Sequence, residues 1–389
     1  MSEQDKYMKR GVSSGKEEVH AAVKKLEDDL FPRAFCKIQK DPALDGRYMV
    51  LHADGAGTKS ALAYAYWKET GDLSVWEGIA TDAMVMNTDD MMCTGISNDF
   101  YVSSTIGRNK HLISGEVIAA LINGNVAFAE RMKKHGVDVH LSGGETADVG
   151  DLVRTIIVDA TALGYLHEAE IISNEKIEAG NLIVGLASYG QCAWENSYNS
   201  GIGSNGLSSA RHDIFSKEVA RNYPESFNPL IEEYAYIGKY GLTDKSPLEG
   251  IDMGKLVLSP TRTYLPLVKK IFENMRPEIN GMIHCTGGGQ FKTFNYIKDL
   301  HIVKSDFLDI PPLFRMIMDD TGTKPEEMYR TFNMGHRLEI YVKDVMTANT
   351  IISMAGDVGI DAKIIGHCIP HQGRRVELQT EFGTFVKED

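Results

Sequence analysis

The chain has 389 residues and a formal net charge of −13, with 43% apolar and 24% charged residues. This length exceeds one ordinary core, so we expect two domains, and the composition is that of an ordinary soluble globular protein. The negative charge argues against broad binding to nucleic acids or anionic membranes, because both attract cationic surfaces. It does not exclude a small phosphorylated ligand, because local groups set the field of a pocket.

Cysteine usage and the chain start predict a cytoplasmic protein. The five cysteines are scattered and form no Cys-x-x-Cys pair, so neither a zinc site nor a disulfide framework is indicated. Their irregular spacing fits a reducing compartment. The charged first residues lack the apolar core of a signal peptide. No run of about 18 apolar residues is present, so we expect no membrane span.

In chain order, the first half alternates helices and strands. Hydrophobic spacing predicts helices over 16–30, 60–70, 78–95 and 114–135, and strands over 48–53, 100–104, 137–141 and 155–166. Two of the strands run into glycine-rich loops, at 54–59 and at 142–148. Such loops let backbone N–H groups approach an oxyanion closely.

The second half begins near residue 178 and has the same ingredients. The predicted strands are 182–187, 282–285, 337–342, 362–367 and 374–379, and the predicted helices are one opening at 207 and those over 265–273 and 344–355. Residues 189–206 form a loop rich in Gly, Ser and Asn, and 212–256 are predicted to be loop with short helices. Further glycine-rich loops lie at 203–206 and 286–289.

The stretch from His52 to Lys59 concentrates chemical groups behind a predicted strand. It holds one carboxylate, two glycines, one hydroxyl and one amine: Asp54, Gly55, Gly57, Thr58 and Lys59. An acid there suits Mg²⁺ and a lysine suits a phosphate, although the stretch is not a Walker A motif. A plain turn is the alternative interpretation of this stretch alone.

Three carboxylates interrupt the methionine-rich helix over 78–95. Asp82, Asp89 and Asp90 are seven and eight residues apart, which places them near one helical face two turns on. Buried carboxylates are costly unless they are paired or bound to a cation. The face therefore either holds a cation or meets solvent. Together with four glycine-rich loops, the acids suit a polyphosphate with Mg²⁺.

Seven stretches together resemble the phosphoribosylformylglycinamidine cyclo-ligases, also called AIR synthetases. They are Asp54–Lys59, Asp82–Gly95, Gly143–Ala147, Ser204–Gly206, Pro260–Arg262, His284 with Thr286–Gly289, and Glu327–Gly335. The first three are shared by a superfamily of ATP-using enzymes and indicate only ATP chemistry. The stretch 327–335 is typical of the cyclo-ligases themselves.

The resemblance implies an α+β fold of two domains with mixed sheets. Residues 1–170 would form an N-terminal ATP-binding and dimerisation domain, and 171–389 a C-terminal domain. It also implies a homodimer through the N-terminal strands, with ATP and Mg²⁺ near that interface. The implied reaction converts formylglycinamidine ribonucleotide and ATP to aminoimidazole ribonucleotide, ADP and phosphate, a step of purine biosynthesis.

The resemblance also implies roles for individual residues. Mg²⁺ and the nucleotide phosphates would be held by the carboxylates of Asp54, Asp82, Asp90 and Glu145. Amides, hydroxyls and the amine around the nucleotide would come from Gly55, Gly57, Thr58, Lys59, Gly143, Gly144 and Thr146. The substrate side would be lined by Ser204, Asn205, Gly206, Gly287, Gly288 and Gly289. The catalytic candidates are Lys59 as a phosphate contact, His284 as a proton carrier, and Arg330 and Asn333 as partners of a phosphate.

Each of these roles has a structural alternative. The carboxylates and Arg330 could form salt bridges, the loops could be plain turns, and His284 could be a satisfied core residue. Lysine, arginine and carboxylate pairs of this kind are common in folded proteins without any ligand.

Three departures set this chain apart from the usual family pattern. A Gly- and Phe-rich stretch before the first strand is missing from 31–46. Gly203 precedes Ser-Asn-Gly where a histidine is usual, and His336-Arg337 follow Met334-Gly335 where small or apolar residues are usual. They keep two other interpretations open, a small-molecule kinase of the same superfamily and a non-catalytic ATP-binding scaffold.

Overall fold

A computed structural model describes residues 9–11 and 30–389 of the chain. The helix predicted over 16–30 lies outside the described residues, apart from Leu30 at its end. No helix in the described ranges is long and apolar enough to cross a membrane. All five cysteines are buried and free.

The first sheet has five strands in the order β1-β2-β5-β3-β4, with β3 and β4 parallel and the other neighbours antiparallel. Its strands are β1 (Gln39–Lys40), β2 (Arg47–Gly55), β3 (Phe100–Arg108), β4 (Val139–Asp148) and β5 (Ile156–His167). The helices of this half are α1 (Lys59–Thr70), α2 (Ser74–Met92) and α3 (Gly115–Lys134).

Helix α2 is buried along almost its whole length, which fits the apolar residues on all of its sides, and its Asp, Asn and Thr side chains are buried as well. It packs against β2 and β5 on one side and against α1 and α3 on the others. Gly124 permits the close approach of α3, because a Cβ there would lie 2.8 Å from the Cβ of Ala80. The polar groups of α2 are therefore far from bulk solvent.

The second sheet has seven strands in the order β14-β13-β10-β12-β6-β11-β9. Its strands are β6 (Leu182–Ala187), β9 (Ile279–His284), β10 (Leu300–Lys304), β11 (His336–Val342), β12 (Ala362–Pro370), β13 (Arg374–Thr380) and β14 (Gly383–Glu388). A separate two-stranded ribbon is formed by β7 (Tyr189–Gly190) and β8 (Asn199–Ser200). Only β10 and β13 pair in parallel in the larger sheet.

Seven helices accompany the second sheet among the described residues. They are α4 (Leu207–Ile214), α5 (Lys217–Asn222), α6 (Met253–Val257), α7 (Leu265–Met275), α8 (Pro312–Thr321), α9 (Pro325–Thr331) and α10 (Val345–Gly356). Helix α7 also packs against α2 of the first half. The expected α+β fold with two mixed sheets is thereby confirmed, and 212–256 does consist of loop and short helices.

The structure corrects the glycine-rich loop predicted at 142–148, because these residues continue strand β4. The glycines serve the strand. A Cβ on Gly144 would lie 2.1 Å from the carbonyl oxygen of Ser104 on β3, and Gly143 has φ +93° where the β3–β4 register shifts. A bulge of this kind needs glycine at the left-handed position. The strands β1, β7, β8, β10 and β14 and the helices α8 and α9 were not predicted.

Candidate active site

The end of β2 and the start of α1 carry the first group of predicted site residues. Asp54 is exposed, and its Oδ1 accepts a hydrogen bond from the N–H of Gly55 at 2.7 Å. Gly57 has φ +58°, which favours glycine. The Oγ1 of Thr58 lies 2.8 Å from the Oγ of Ser208 on α4. This contact brings the 54–58 turn next to the 203–206 loop.

Gly55 is required by a carboxylate that sequence reasoning missed. A Cβ at Gly55 would lie 1.8 Å from Oδ1 of Asp159, which is its partner residue on β5. Burial raises the pKa of Asp159. The alternation of β5 could have pointed to this residue, since a lone acid sits among apolar neighbours there.

Lys59 is fully buried and pairs with Asp82. Its Nζ lies 2.9 Å from Oδ2 and 3.0 Å from Oδ1 of Asp82, and it donates to the carbonyl oxygen of Ser259 at 2.5 Å. Burial lowers the pKa of Lys59, and the Asp82 charge opposes that shift. Direct contact between Lys59 and a phosphate does not fit this geometry. Lys59 instead ties the turn to the second half of the chain.

The three carboxylates of α2 have separate partners. Oδ1 of Asp82 also accepts from the N–H and Oγ1 of Thr261, at 2.8 and 2.6 Å. Asp89 accepts from Oγ1 of Thr263 at 2.6 Å and from the N–H of Tyr264 at 2.9 Å. Both therefore face the segment that precedes α7. The three carboxylates therefore do not share one set of partners as expected, because Asp90 points to His284 instead.

Asp90 and His284 form a hydrogen-bonded pair across the two halves of the chain. Oδ1 of Asp90 lies 2.6 Å from Nδ1 of His284, which ends strand β9. Burial would raise the pKa of Asp90, but the hydrogen bond from His284 and nearby positive charge, including that of Lys292, make the net shift downward. Burial lowers the pKa of His284. A neutral imidazole thus donates from Nδ1 to a carboxylate.

This tautomer leaves the other ring nitrogen with a lone pair. Nε2 of His284 is buried and has no hydrogen-bond partner among the described residues. A histidine held in this way by a carboxylate can accept a proton at Nε2. The Asp90–His284 pair can therefore act as a general base at the junction of the two halves of the chain.

Three residues around the pair escaped sequence reasoning. Nε2 of His52 lies 3.8 Å from Oδ2 of Asp90, and its Nδ1 lies 3.0 Å from Oδ1 of Asn87. Lys292 donates to Oγ1 of Thr286. His52 lies two residues before Asp54 on β2, so the two-residue period of a strand could have placed it on the same side.

The two glycine-rich loops of the second half rest on one buried segment. Gly206 has φ +78°, and a Cβ there would lie 2.4 Å from Cε1 of Phe332. A Cβ on Gly289, which has φ +52°, would lie 2.3 Å from the carbonyl oxygen of Tyr329. Gly287 and Gly288 are exposed, and Ser204 and Asn205 are half-buried. The stretch 327–335 therefore shapes both loops from beneath.

Arg330 and Asn333, the predicted partners of a phosphate, both have partners within the chain. Arg330 forms an ion pair with Glu326 at 2.8 Å, one turn earlier on α9. Asn333 is buried, donates to the carbonyl oxygen of Gly201 at 2.8 Å and accepts from Oγ of Ser188 at 2.8 Å. Asn333 holds backbone segments together, which explains its place in the stretch.

The four predicted metal ligands do not converge within the chain. Glu145 pairs with Thr105, which pairs with Asp159 opposite Gly55. Three strand spacings separate Glu145 from the end of β2, about 14 Å. Asp82 is neutralised by Lys59. Asp54 and Asp90 are the nearer pair, because His52, two residues before Asp54 on β2, contacts Asp90, and Nδ2 of Asn87 on α2 donates to the backbone oxygen of Asp54 at 3.0 Å.

One cluster of His, Cys, Asp and Glu side chains in the described ranges is tight enough for a metal ion. It consists of Cys285, His336 and Glu339, all buried. The ammonium of Lys304 already contacts Oε1 of Glu339, and this charge holds the pKa of Glu339 at about 2 although burial opposes it. The cluster is a buried ionic network with its own cation.

Gly143, Gly144, Glu145 and Thr146 lie exposed on β4, away from the Asp90–His284 pair. They border an apolar cavity of about 250 Å³ between β4 and α3, with Met84, Ile122 and Val126 on the far wall. A cavity of this kind accepts a flat apolar group at the edge of the sheet.

Comparison with protein families identifies both halves. The model described as AIR synthase related protein, N-terminal domain, matches residues 39–166, and the model of the C-terminal domain matches 178–379. The chain belongs to the AIR synthase related family. The two matches cover every glycine-rich segment described above and nearly all of both sheets, and strand β14 lies beyond the second match.

Several curated relatives of this AIR synthase related protein are named phosphoribosylformylglycinamidine cyclo-ligase. The phosphoribosylformylglycinamidine cyclo-ligase of Methanocaldococcus jannaschii is 29% identical over 324 residues, which cover 83% of this chain and 78% of that protein. The protein of the same name from Alkaliphilus metalliredigens is 29% identical over 338 residues, covering 84% and 83%.

Solved structures share the fold of the AIR synthase related chain at low identity. AaThiL complexed with AMPPCP and TMP has a TM-score of 0.56 at 12% identity, covering 96% of each chain. The HypE–HypF complex contains a chain with a TM-score of 0.54 at 14% identity, covering 97% of this chain and 99% of that one. At this identity the likeness concerns the fold.

Proposed function

We propose that this chain is an ATP-dependent cyclo-ligase that converts formylglycinamidine ribonucleotide to aminoimidazole ribonucleotide, ADP and phosphate in purine biosynthesis. The observation that carries the proposal is the alignment of both halves with proteins named phosphoribosylformylglycinamidine cyclo-ligase, over about four fifths of each chain. The site geometry supports it, because the 54–58 turn, the 203–206 loop and the 284–289 segment meet where the two halves of the chain face each other.

The chemistry requires activation of a poor electrophile. A formamide carbon resists attack and its oxygen is a poor leaving group. Transfer of the γ-phosphoryl group to that oxygen makes an imidate phosphate. An amidine nitrogen of the same molecule then attacks the carbon, closes the five-membered ring and expels phosphate. Because ring closure is intramolecular, the protein has mainly to orient the reactants and stabilise charge.

His284 is the proposed proton acceptor for ring closure. The attacking nitrogen must lose a proton as the new C–N bond forms. Nε2 of His284 carries a free lone pair, and Asp90 stabilises the imidazolium that forms when it accepts the proton. Asp90 thus orients the ring and compensates the charge that develops on it.

The nucleotide side is proposed to lie at the end of β2 and along β4. The backbone of 55–58 would bind phosphate oxygens, and the cavity beside Gly143–Thr146 would accept the base. AaThiL, which shares the fold, is complexed with the nucleotide analogue AMPPCP. This arrangement supports ATP as the phosphoryl donor.

Magnesium is proposed to accompany ATP. Mg²⁺ binds one or two carboxylates together with phosphate oxygens and water. Asp54 has an exposed carboxylate and Oδ2 of Asp90 is not taken by His284, so these two residues fit such a site. Asp82 does not fit, because Lys59 neutralises it. The ion would supply charge compensation for the phosphates.

The substrate side is proposed to be the surface formed by two loops. Ser204, Asn205 and Gly206 precede α4, and Gly287–Gly289 follow β9. Both loops offer backbone N–H groups, and the first also offers the polar side chains of Ser204 and Asn205. Arg330 and Asn333 would act from beneath by supporting these loops.

We also propose that the protein is a homodimer. The sheet face of the first half that is not covered by helices exposes large apolar side chains, namely Leu51, Tyr101, Ile157 and Tyr165. Leu51 and Tyr101 both pair with Leu163 in the sheet, so the residues form one contiguous face. Apolar faces of this kind mark protein interfaces. The same face lies beside Gly143–Thr146 of β4.

We propose that the boundary between the two domains lies near residue 170. The first sheet ends at His167 and the second begins at Leu182, which supports domains of 1–170 and 171–389. The five free cysteines support the expected cytoplasmic location.

The proposed activity is tested by mixing purified protein with Mg²⁺ and ATP, with and without formylglycinamidine ribonucleotide. We expect ADP only when the ribonucleotide is present, and aminoimidazole ribonucleotide in equal amount. A stable phosphorylated product without ring closure would indicate a small-molecule kinase. Nucleotide binding without turnover would indicate a scaffold.

A further inference from the structure

A buried arginine lies beneath the loop that carries Ser204–Gly206. Arg337 is 3% exposed, and its Nη2 donates to the carbonyl oxygen of Gly201 at 3.3 Å. The backbone oxygen of Arg337 accepts from the N–H of Cys285 at 2.6 Å, just before the 286–289 loop. One residue of β11 therefore touches the supports of both substrate loops.

Arg337 and a side chain at position 203 exclude each other. A Cβ on Gly203 would lie 1.8 Å from Nη2 and 2.5 Å from Cζ of Arg337. Gly203 also has φ +64°. Two departures from the family pattern are thus one feature: the guanidinium from β11 fills the space that a side chain on the loop would need.

The guanidinium is an unpaired charge in this region. Among the residues that the structure describes, Arg337 forms no ion pair, and its Nη1 has no hydrogen-bond partner. Of the nearest carboxylates, Asp82 is paired with Lys59 and Asp89 accepts two hydrogen bonds from the segment before α7. Burial lowers the pKa of Arg337, but a guanidinium stays protonated at neutral pH. A positive potential therefore lies directly behind the loop.

We propose that Arg337 is a positioning and specificity-determining residue for the anionic ribonucleotide. Arg337 holds the 201–206 loop through Gly201. Its guanidinium also supplies positive charge from beneath the loop, where Gly203 itself has no side chain to supply any. The identity of the ligand rests on the proposed function. Arg337 acts through the loop, so its effect falls on the ribonucleotide and not on ATP.

The kinetic test compares Arg337→Met, which removes the charge at similar volume, with Arg337→Lys, which keeps the charge. We expect Arg337→Met to raise KM for formylglycinamidine ribonucleotide at least tenfold while KM for ATP stays within twofold, and Arg337→Lys to recover part of the loss. An equal rise in both KM values, or no change in a folded Arg337→Met protein, would overturn the proposal. Arg337→Lys no better than Arg337→Met would also count against it.

A second test measures the coupling of the two positions by thermal melting and needs no activity. Gly203→Ala adds both backbone strain and a clash with the guanidinium, and only the clash disappears when Arg337→Ala is added. We expect the double variant to melt at a higher temperature than the sum of the two single shifts predicts. Gly190→Ala is the matched control, because Gly190 has φ +90° with open space at its Cβ position. Additive shifts would contradict the proposed shared volume.

The two tests separate this inference from the proposed function. If the wild-type protein does not turn over the ribonucleotide, the proposed function fails, and the melting cycle still decides whether Gly203 and Arg337 act as one unit. Calorimetric titration of the same ribonucleotide into wild type and Arg337→Met then replaces KM. Equal affinities would reject the specificity role.

Discussion

Oδ1 of Asp90 lies 2.6 Å from Nδ1 of His284, and this contact joins helix α2 of the first half to strand β9 of the second. The residues are 194 positions apart in the chain. Asp90 is thus bonded to a neutral imidazole and not to a cation. Removal of the Asp90 charge by mutation therefore leaves His284 without an unbalanced charge.

Asp90→Asn should therefore abolish most of the activity and leave the fold intact. The amide oxygen of asparagine still accepts the Nδ1–H of His284, but the charge that compensates an imidazolium is lost. We expect kcat to fall by about 10²–10⁴-fold, with the melting temperature of the free protein close to that of wild type. ADP release and thermal melts measure the two effects. A large drop in melting temperature with activity retained in the folded fraction would refute the role.

Lys59→Met should act mainly on stability. It leaves the fully buried carboxylate of Asp82 without its counter-charge, and breaking such a pair costs about 3–5 kcal/mol. Denaturant unfolding of the free protein measures the loss. Lys68→Met, at an exposed position of the same helix, is the control and should change little.

The Lys59–Asp82 contact also makes a double variant informative. Adding Asp82→Asn to Lys59→Met removes the uncompensated charge, so the double variant should be more stable than the sum of the single effects predicts. Unchanged stability of Lys59→Met together with a raised KM for ATP would instead restore the direct phosphate contact expected from sequence.

Asp89 should make stability depend on pH near neutrality. Burial raises its pKa from 3.8 to about 7, although hydrogen bonds from Thr263 and Tyr264 oppose the shift. Between pH 3.8 and about 7, Asp89 is therefore protonated in the folded protein and ionised in the unfolded chain. Stability contributed by the protonated group is lost as pH rises through this window, by about 1.4 kcal/mol for each pH unit.

Asp89→Asn removes this titration, because an amide can satisfy both hydrogen bonds once the Thr263 hydroxyl reverses. The variant should gain stability relative to wild type between pH 5 and 7, and the gap should level off above pH 7. Denaturant unfolding at several pH values measures it. Asp319→Asn, at an exposed position of α8, should give a profile parallel to wild type; a parallel profile for Asp89→Asn would disprove the assignment.

Leu51→Glu should dissociate the proposed homodimer. Leu51 is 62% exposed on the uncovered sheet face, and a carboxylate there would be buried in an apolar interface. Light scattering at micromolar concentration should give the mass of a dimer for wild type and of a monomer for the variant. Leu230→Glu is the control, since Leu230 is 91% exposed away from that face. A monomeric wild type would exclude the dimer.

Local patterns were sufficient for most of the secondary structure. The apolar spacing of 60–70 and 114–135 predicted α1 and α3 within a few residues, because helix periodicity is a property of neighbouring residues. The β4 extension could not be predicted in this way. Ser142–Asp148 is a strand because β3 supplies its hydrogen bonds, and those partners lie about forty residues away in the chain.

By itself the sequence determined which chemical groups the protein has and the class of fold that carries them: glycine-rich turns, three acids on a buried helix, and a two-part α+β chain. Only the tertiary structure decided what each charge meets. Lys59 pairs with Asp82, Asp90 pairs with His284, and the guanidinium of Arg337 fills the space beneath Gly203. The physical reason is that the cost of burying a charge depends on its partner in space, and these partners come from distant segments of the chain.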